Sequence, residues 1–220
     1  MSEKHEGLIV AIDGPAGVGK STLARRMAEA LELPYVNTGL MYRALTARAL
    51  RKDLDVDDGS ALLEAAREIA FDLDFTANPP ELRIDGDPPG EDLVTREVEA
   101  NVSSVSRHPV VRELMRVEQR ALGLRGAVME GRDIGSVVFP DAEVKIRLEA
   151  LPDERVDRRS KQRHATVDVE ESLTARDTLD STVNPFVPAP GAETIDTSDK
   201  SIDEVFAEAM TIVRERVGSR

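Results

Sequence analysis

The sequence predicts a three-layer α/β fold, with a parallel sheet of about five strands covered by helices on both faces. Three observations point there. Short apolar, β-branched runs alternate with helical segments, as buried parallel strands and their crossover helices do. A glycine-rich turn joins the first of these runs to the first helix. One central stretch switches to a period of two, so a small antiparallel β insert interrupts the alternation. The length of 220 residues suits one domain with embellishments, at roughly 150 residues per domain.

Gly7-Leu-Ile-Val-Ala-Ile-Asp13 is the first strand. After the glycine-rich turn, Ser21 to Leu33 carries Leu23, Met27, Ala30 and Leu31 at helical spacing, and Pro34 stops it. Tyr35-Val36 is a short second strand. Thr38 to Leu50 follows as a helix with Met41, Leu45 and Ala49 on one side, and Asp57 to Ala70 as a third. Phe71-Asp-Leu-Asp-Phe75 and Glu81-Leu-Arg-Ile-Asp85 alternate on either side of the turn signal Asn78-Pro79-Pro80, which places the insert at about Phe71 to Val94. Helices resume at Arg96 to Ser106 and Val110 to Leu122. Ala127-Val-Met-Glu130 and Val144-Lys-Ile-Arg-Leu148 are two further buried strands. Pro152 to about Arg163 is a highly charged helix, Asp168 to Leu179 another, and Asn184 to Gly191 a proline-rich loop. Thr194-Ile-Asp196 is the last strand. Ser201-Ile-Asp-Glu204 is a capping box that opens an amphipathic helix through Val217.

Composition narrows the function. Lys and Arg total 29 against 42 Asp and Glu, a formal charge of −13. That excludes a general binder of nucleic-acid polymers, which needs a basic surface. Any phosphate chemistry must therefore rest on local positive charge. Aromatics are 3% of the chain, so the core is aliphatic and base-stacking platforms are not expected. With no cysteine there is no disulfide, thiolate zinc site or Cys nucleophile, as suits a reducing cytosol. No apolar run reaches membrane-spanning length and no signal-peptide pattern opens the chain, so a cytoplasmic, non-membrane protein is expected. His5, His108 and His164 do not form a metal or nucleophile set.

Gly14-Pro-Ala-Gly-Val-Gly-Lys20-Ser21 matches the eight-residue phosphate-binding loop, or P-loop, in its required context between an apolar strand and a helix. Glycines let successive backbone N–H groups converge on phosphate oxygens, and the helix adds its positive N-terminus. Lys20 supplies a point charge to the terminal phosphates, and the Ser21 hydroxyl can ligate Mg²⁺. A GTPase base-reading Asn-Lys-x-Asp and a transporter Ser-Gly-Gly signature are both absent. Small size favours a kinase for a small acceptor. Asn37-Thr-Gly-Leu-Met-Tyr-Arg43 puts Arg43 early in a helix, where a guanidinium could clamp an anion bidentately. Glu130-Gly-Arg-Asp-Ile-Gly135 lies at the carboxyl end of a strand, where open α/β sheets bind ligands. On these residues alone, a kinase for another small anionic acceptor (shikimate, gluconate, a different nucleotide) and a non-catalytic nucleotide sensor stay open.

Together with Ser136-Val-Val-Phe-Pro140 and Arg176-Asp-Thr-Leu-Asp-Ser181, these motifs give a chain that resembles the bacterial cytidylate kinases over nearly its whole length. The resemblance implies a three-layer P-loop fold with an antiparallel β insert in the acceptor region and a short helical lid. It implies ATP-dependent phosphorylation of CMP and dCMP, with Mg²⁺ as cofactor, by a monomeric enzyme of pyrimidine nucleotide metabolism. The implied parts are a core (7–36, 124–152, 177–220), a CMP-binding region (37–123) and a lid (153–176). ATP would be held by Gly14, Pro15, Ala16, Gly17, Val18, Gly19, Lys20, Ser21 and Thr22, with Arg158 and Arg159 from the lid. Lys20, Arg132 and Arg176 would be catalytic. CMP would be held by Arg43 and Arg132 at its phosphate with Thr38 nearby, by Asp133, Ser103 and Arg112 at the base, and by Asp180 at the ribose. Asn37 stands where that family usually has Asp, and Val183 where it usually has Arg.

Overall fold

The computed structural model describes residues 7–163 and 188–218. Seven strands form one sheet in the order β3-β4-β2-β5-β1-β6-β7: β1 Ile9–Asp13, β2 Tyr35–Asn37, β3 Phe71–Asp74, β4 Glu81–Ile84, β5 Ala127–Gly131, β6 Val144–Glu149 and β7 Glu193–Asp196. The five strands β2-β5-β1-β6-β7 pair in parallel, as expected. Centrally, Ile9 to Asp13 of β1 run beside Ala127 to Gly131 of β5, so both strands end level at the carboxyl edge. β3 and β4 form the antiparallel hairpin, with Phe71 opposite Ile84 and Asp74 opposite Glu81. The hairpin is not detached from the sheet. Tyr35 of β2 pairs in parallel with Glu81 of β4, which makes the insert an extension of one sheet edge.

Both faces of the sheet are covered. On one, Val10 and Ile12 of β1, Val128 of β5, and Val144, Ile146 and Leu148 of β6 pack with Leu23, Met27 and Leu31 of α1 (Lys20–Leu31) and with Val205 and Val213 of α7 (Ile202–Val217). On the other, Ala11, Val36, Ala127 and Met129 pack with α2 (Thr38–Arg51), α3 (Gly59–Arg67), α4 (Arg96–Ser106) and α5 (Pro109–Gly123). Neighbouring β1 residues thus go to opposite cores, which is why the run is apolar throughout rather than alternating.

Two helix boundaries differ from the sequence expectation for local reasons. α1 stops at Leu31 because Glu32 turns left-handed (φ 55°) and the Leu33 N–H closes back onto the Ala28 carbonyl at 2.9 Å. α3 starts at Gly59 because the Asp58 carboxylate accepts the N–H groups of Ser60 and Ala61. The expected capping box is present: Glu204 N–H donates to Ser201 Oγ at 3.3 Å, and Ser201 N–H donates to Glu204 Oε2 at 2.8 Å. The charged helix forms as α6, Pro152–Arg163. The expected helix at Asp168 to Leu179 lies outside the described residues. No helix among the described residues is long and apolar enough to cross a membrane.

Candidate active site

The phosphate loop leaves β1 at Asp13 and enters α1 at Lys20. Gly14 and Gly17 are required by close approaches. A Cβ on Gly14 would lie 2.4 Å from the Leu148 carbonyl oxygen, and one on Gly17 (φ 82°) 2.9 Å from the Arg155 carbonyl oxygen. Val18 is buried and anchors the loop in the core. Gly19 caps α1 through its backbone, so the helix begins at the loop and its N-terminal dipole points into it. Lys20 Nζ donates to the Pro15 carbonyl at 2.8 Å, which holds the ammonium along the loop. Ser21 and Thr22 are exposed on the first turn of α1.

Helix α6 packs against this loop. Arg155 Nε donates to the Ala16 carbonyl at 2.7 Å. Arg158 donates to Thr197 Oγ1 at 2.8 Å, to the Thr197 carbonyl at 2.6 Å and to Glu154 Oε2 at 2.7 Å. Thr197 Oγ1 donates in turn to the Val18 carbonyl at 3.2 Å. Arg158 is therefore tied to the floor of the loop and to its i−4 carboxylate. The Arg159 side chain, Arg176, Asp180 and Val183 lie outside the described residues.

At the end of β5 the chain makes a single π-helical turn, Ile134–Val138, immediately after Arg132 and Asp133. Such one-turn π segments frequently mark functional sites. Arg112, reaching over from α5, donates through Nη2 to Asp133 Oδ2 at 2.5 Å, and Arg116 Nη2 lies 3.8 Å from the same oxygen. Two of the three base-reading candidates, Arg112 and Asp133, thus meet as a donor–acceptor pair. Ser103 is buried on α4. Beside the cluster, Tyr42 is held protonated: burial first of all raises its pKa to about 12, with Arg112, Asp133 and Arg116 around it. Room at Gly131 is taken by protein rather than left for a ligand, since a Cβ there would lie 2.7 Å from both Thr38 Oγ1 and Ile134 Cδ1.

Arg43 is buried, not a surface arginine. Its Nη1 donates to the Leu93 carbonyl at 3.0 Å and its Nη2 pairs with Glu99. Thr38 Oγ1 donates to the Glu130 carbonyl at 2.8 Å, fixing the start of α2 against the end of β5. Between these elements and the phosphate loop lies a buried polar knot. Tyr35 OH donates to Glu130 Oε1 at 2.6 Å, and Asn37 Nδ2 donates to Tyr35 OH at 3.4 Å. The Ser21 hydroxyl adjoins the same phenol. Burial, then the Glu130 charge, pushes the Tyr35 pKa far up, so the phenol stays protonated.

Reading from sequence alone left Asp13, Tyr35, Leu93, Glu99, Arg116 and Thr197 unassigned. Only Asp13, adjoining the loop motif, carried a local signal.

A glycine-rich phosphate loop at the carboxyl edge of a parallel sheet, with arginines and a strand-end Arg-Asp pair beside it, defines a P-loop kinase. The cytidylate kinase family model matches residues 10–215. Over 219 residues the chain is 45% identical to a cytidylate kinase of Geobacillus kaustophilus, covering 95% of this chain and 97% of that one. It is 40% identical to cytidylate kinases of Rhodococcus jostii (96% and 97% covered) and Clostridioides difficile (93% and 97% covered). The chain belongs to the cytidylate kinase family.

Proposed function

We propose that the enzyme transfers the terminal phosphoryl group of ATP to CMP, and to dCMP, with the donor on the 14–22 loop and the acceptor between α2, α4, α5 and the end of β5. The observation that supports this acceptor is the contact of Arg112 with Asp133 at 2.5 Å. Cytosine offers an amino donor beside ring acceptors, and a carboxylate next to a guanidinium is the complementary pair. Uracil replaces the amino group by a carbonyl, which would face the carboxylate and be disfavoured.

Phosphoryl transfer asks the protein for in-line positioning and for stabilisation of charge on the transferring group. Lys20 provides charge at the donor end. Arg43 and Arg132 hold the acceptor phosphate, with Thr38 beside them, and Ser103 lines the base. That phosphate is already largely ionised near neutral pH, so no dedicated general base is needed. Arg158, Arg159 and Arg176 belong to the lid (153–176), Asp180 to ribose binding, and residues 37–123 to the acceptor region of a single monomeric domain. Around Ser21 the donor set consists of oxygens (its own hydroxyl, the Tyr35 phenol and the Glu130 carboxylate), which fits a hard cation such as Mg²⁺. Ser21 would hold it together with the nucleotide phosphates, where it supplies charge neutralisation.

A panel of acceptors with an ADP-release readout tests this reading. CMP and dCMP should drive ADP formation well above UMP, AMP and shikimate. Equal rates with every acceptor, or with none added, would refute it.

A further inference from the structure

Asp13 closes β1 one residue before the phosphate loop. Its two oxygens are divided between two neighbours far along the chain. Oδ1 accepts the Ile134 N–H and Oδ2 the Gly135 N–H, each at 2.8 Å. Those residues open the π-helical turn directly after Arg132 and Asp133. One carboxylate at the root of the donor loop therefore grips the root of the acceptor turn by its backbone. Parallel pairing of Asp13 with Gly131 brings the two strand ends level. Arg120 of α5 holds the far end of the turn, donating to the Val138 and Val137 carbonyls at 2.9 Å each, and Asp13 holds the near end, beside the acceptor residues.

The arrangement runs against an energetic gradient. Desolvation is the largest influence on Asp13 and raises its pKa to about 6, the two N–H bonds and Lys20 oppose it, and Asp133 adds to it. An asparagine would avoid that charge, but it would turn an NH₂ towards one of the two N–H groups. Only a carboxylate accepts both with its separate oxygens.

We propose that Asp13 is a positioning residue: it sets the distance and angle between the phosphate loop and the Arg132–Asp133 turn, so that donor and acceptor phosphates stand in line. This rests on the reading of Arg132 and Asp133 as acceptor-binding residues. Alignment errors of an ångström are felt in turnover before they are felt in binding.

Steady-state kinetics of the full-length Asp13→Asn variant test the proposal. The expected result is a kcat lowered about 10- to 100-fold, with the KM values for ATP and CMP each within about threefold of the parent. A kcat within about twofold of the parent overturns the proposal. So does a CMP KM that rises as far as kcat falls, which would mean general loosening of the site. Should the variant fail to fold, Asp13→Glu keeps the charge but carries both acceptor oxygens one methylene farther from the β1 backbone, out of register with the Ile134 and Gly135 N–H groups. The same kcat-dominated loss is expected, and an unaltered kcat overturns the proposal. Arg132→Ala, measured alongside, separates the two readings. An unchanged CMP KM there removes the acceptor assignment, whereas a normal kcat in Asp13→Asn removes the coupling.

Discussion

Asp133→Asn should narrow the preference for CMP over UMP while keeping the fold. Both guanidinium contacts to Asp133 fall on Oδ2, from Arg112 at 2.5 Å and Arg116 at 3.8 Å. In the proposed site the other oxygen accepts the cytosine amino group. With UMP a carbonyl meets that oxygen, and an unsatisfied polar group costs about 1–3 kcal/mol. That corresponds to a ratio of about 5- to 150-fold in kcat/KM. The carboxamide of Asn can turn its NH₂ to the uracil carbonyl, so most of this factor should vanish. The substitution also replaces a charge-assisted bond between side chains only 12% and 14% exposed by a neutral one. A cost of about 1–3 kcal/mol lowers the melting temperature by about 2–12 °C. The assay is ADP release at saturating ATP with CMP and then UMP varied, in parent and variant. If the ratio of the two specificity constants stays within about twofold while both fall together, Asp133 serves only to hold Arg112 and the base-reading argument is refuted.

Lys20→Ala should lower kcat about 10²- to 10³-fold, the usual loss for one donor to transition-state charge, with little change in melting temperature; a kcat near that of the parent would exclude its assigned role. Glu99→Ala leaves the buried Arg43 guanidinium without its carboxylate, which costs about 3–5 kcal/mol in a urea titration; Glu99→Gln should recover part of this, and a loss below about 1 kcal/mol would mean that the pair does not hold Arg43. Asp13 gives a signed pH dependence. Its folded pKa of about 6 lies above its ordinary value of 3.8, so its contribution to stability is present in full below 3.8 and is lost as pH rises through 6. Relative to Asp13→Asn, the parent should therefore lose on the order of 3 kcal/mol between pH 4 and pH 7, as followed by denaturant melts at each pH; parallel curves for the two proteins would contradict it.

Much of the fold was legible because its signals are local. Ile9 to Asp13 and Ala127 to Gly131 are mostly apolar runs bounded by turns, Val144 to Glu149 alternates apolar with charged residues, and the glycine-rich loop identifies its own neighbours as strand and helix. The hairpin was legible from its period of two, but its junction with β2 was not. A single pairing, Tyr35 with Glu81, makes that junction, and no pattern within either segment encodes it. The site divides in the same way. Arg112 came only from the family resemblance, whereas Lys20, Arg43, Arg132 and Asp133 stand in recognisable motifs. Their supports do not: Glu99 meets Arg43 across 56 positions, and Asp13 meets Ile134 across 121. Such partners are chosen by the packing of α2 on α4 and of β1 beside β5, so only the folded chain brings them together. The π-helical turn was hidden for a related reason. A tertiary bond to Asp13 holds its first residues, and a Phe139 N–H to Ile134 carbonyl bond of 2.7 Å closes it.

The central claim is that ATP on the 14–22 loop gives its terminal phosphoryl group to CMP held beside Arg112 and Asp133. Following the label from γ-labelled ATP in the presence of CMP tests it most directly. Label is expected in CDP, equimolar with the ADP formed, with little in inorganic phosphate. Label released only as inorganic phosphate, or ADP formed at the same rate without CMP, would contradict it.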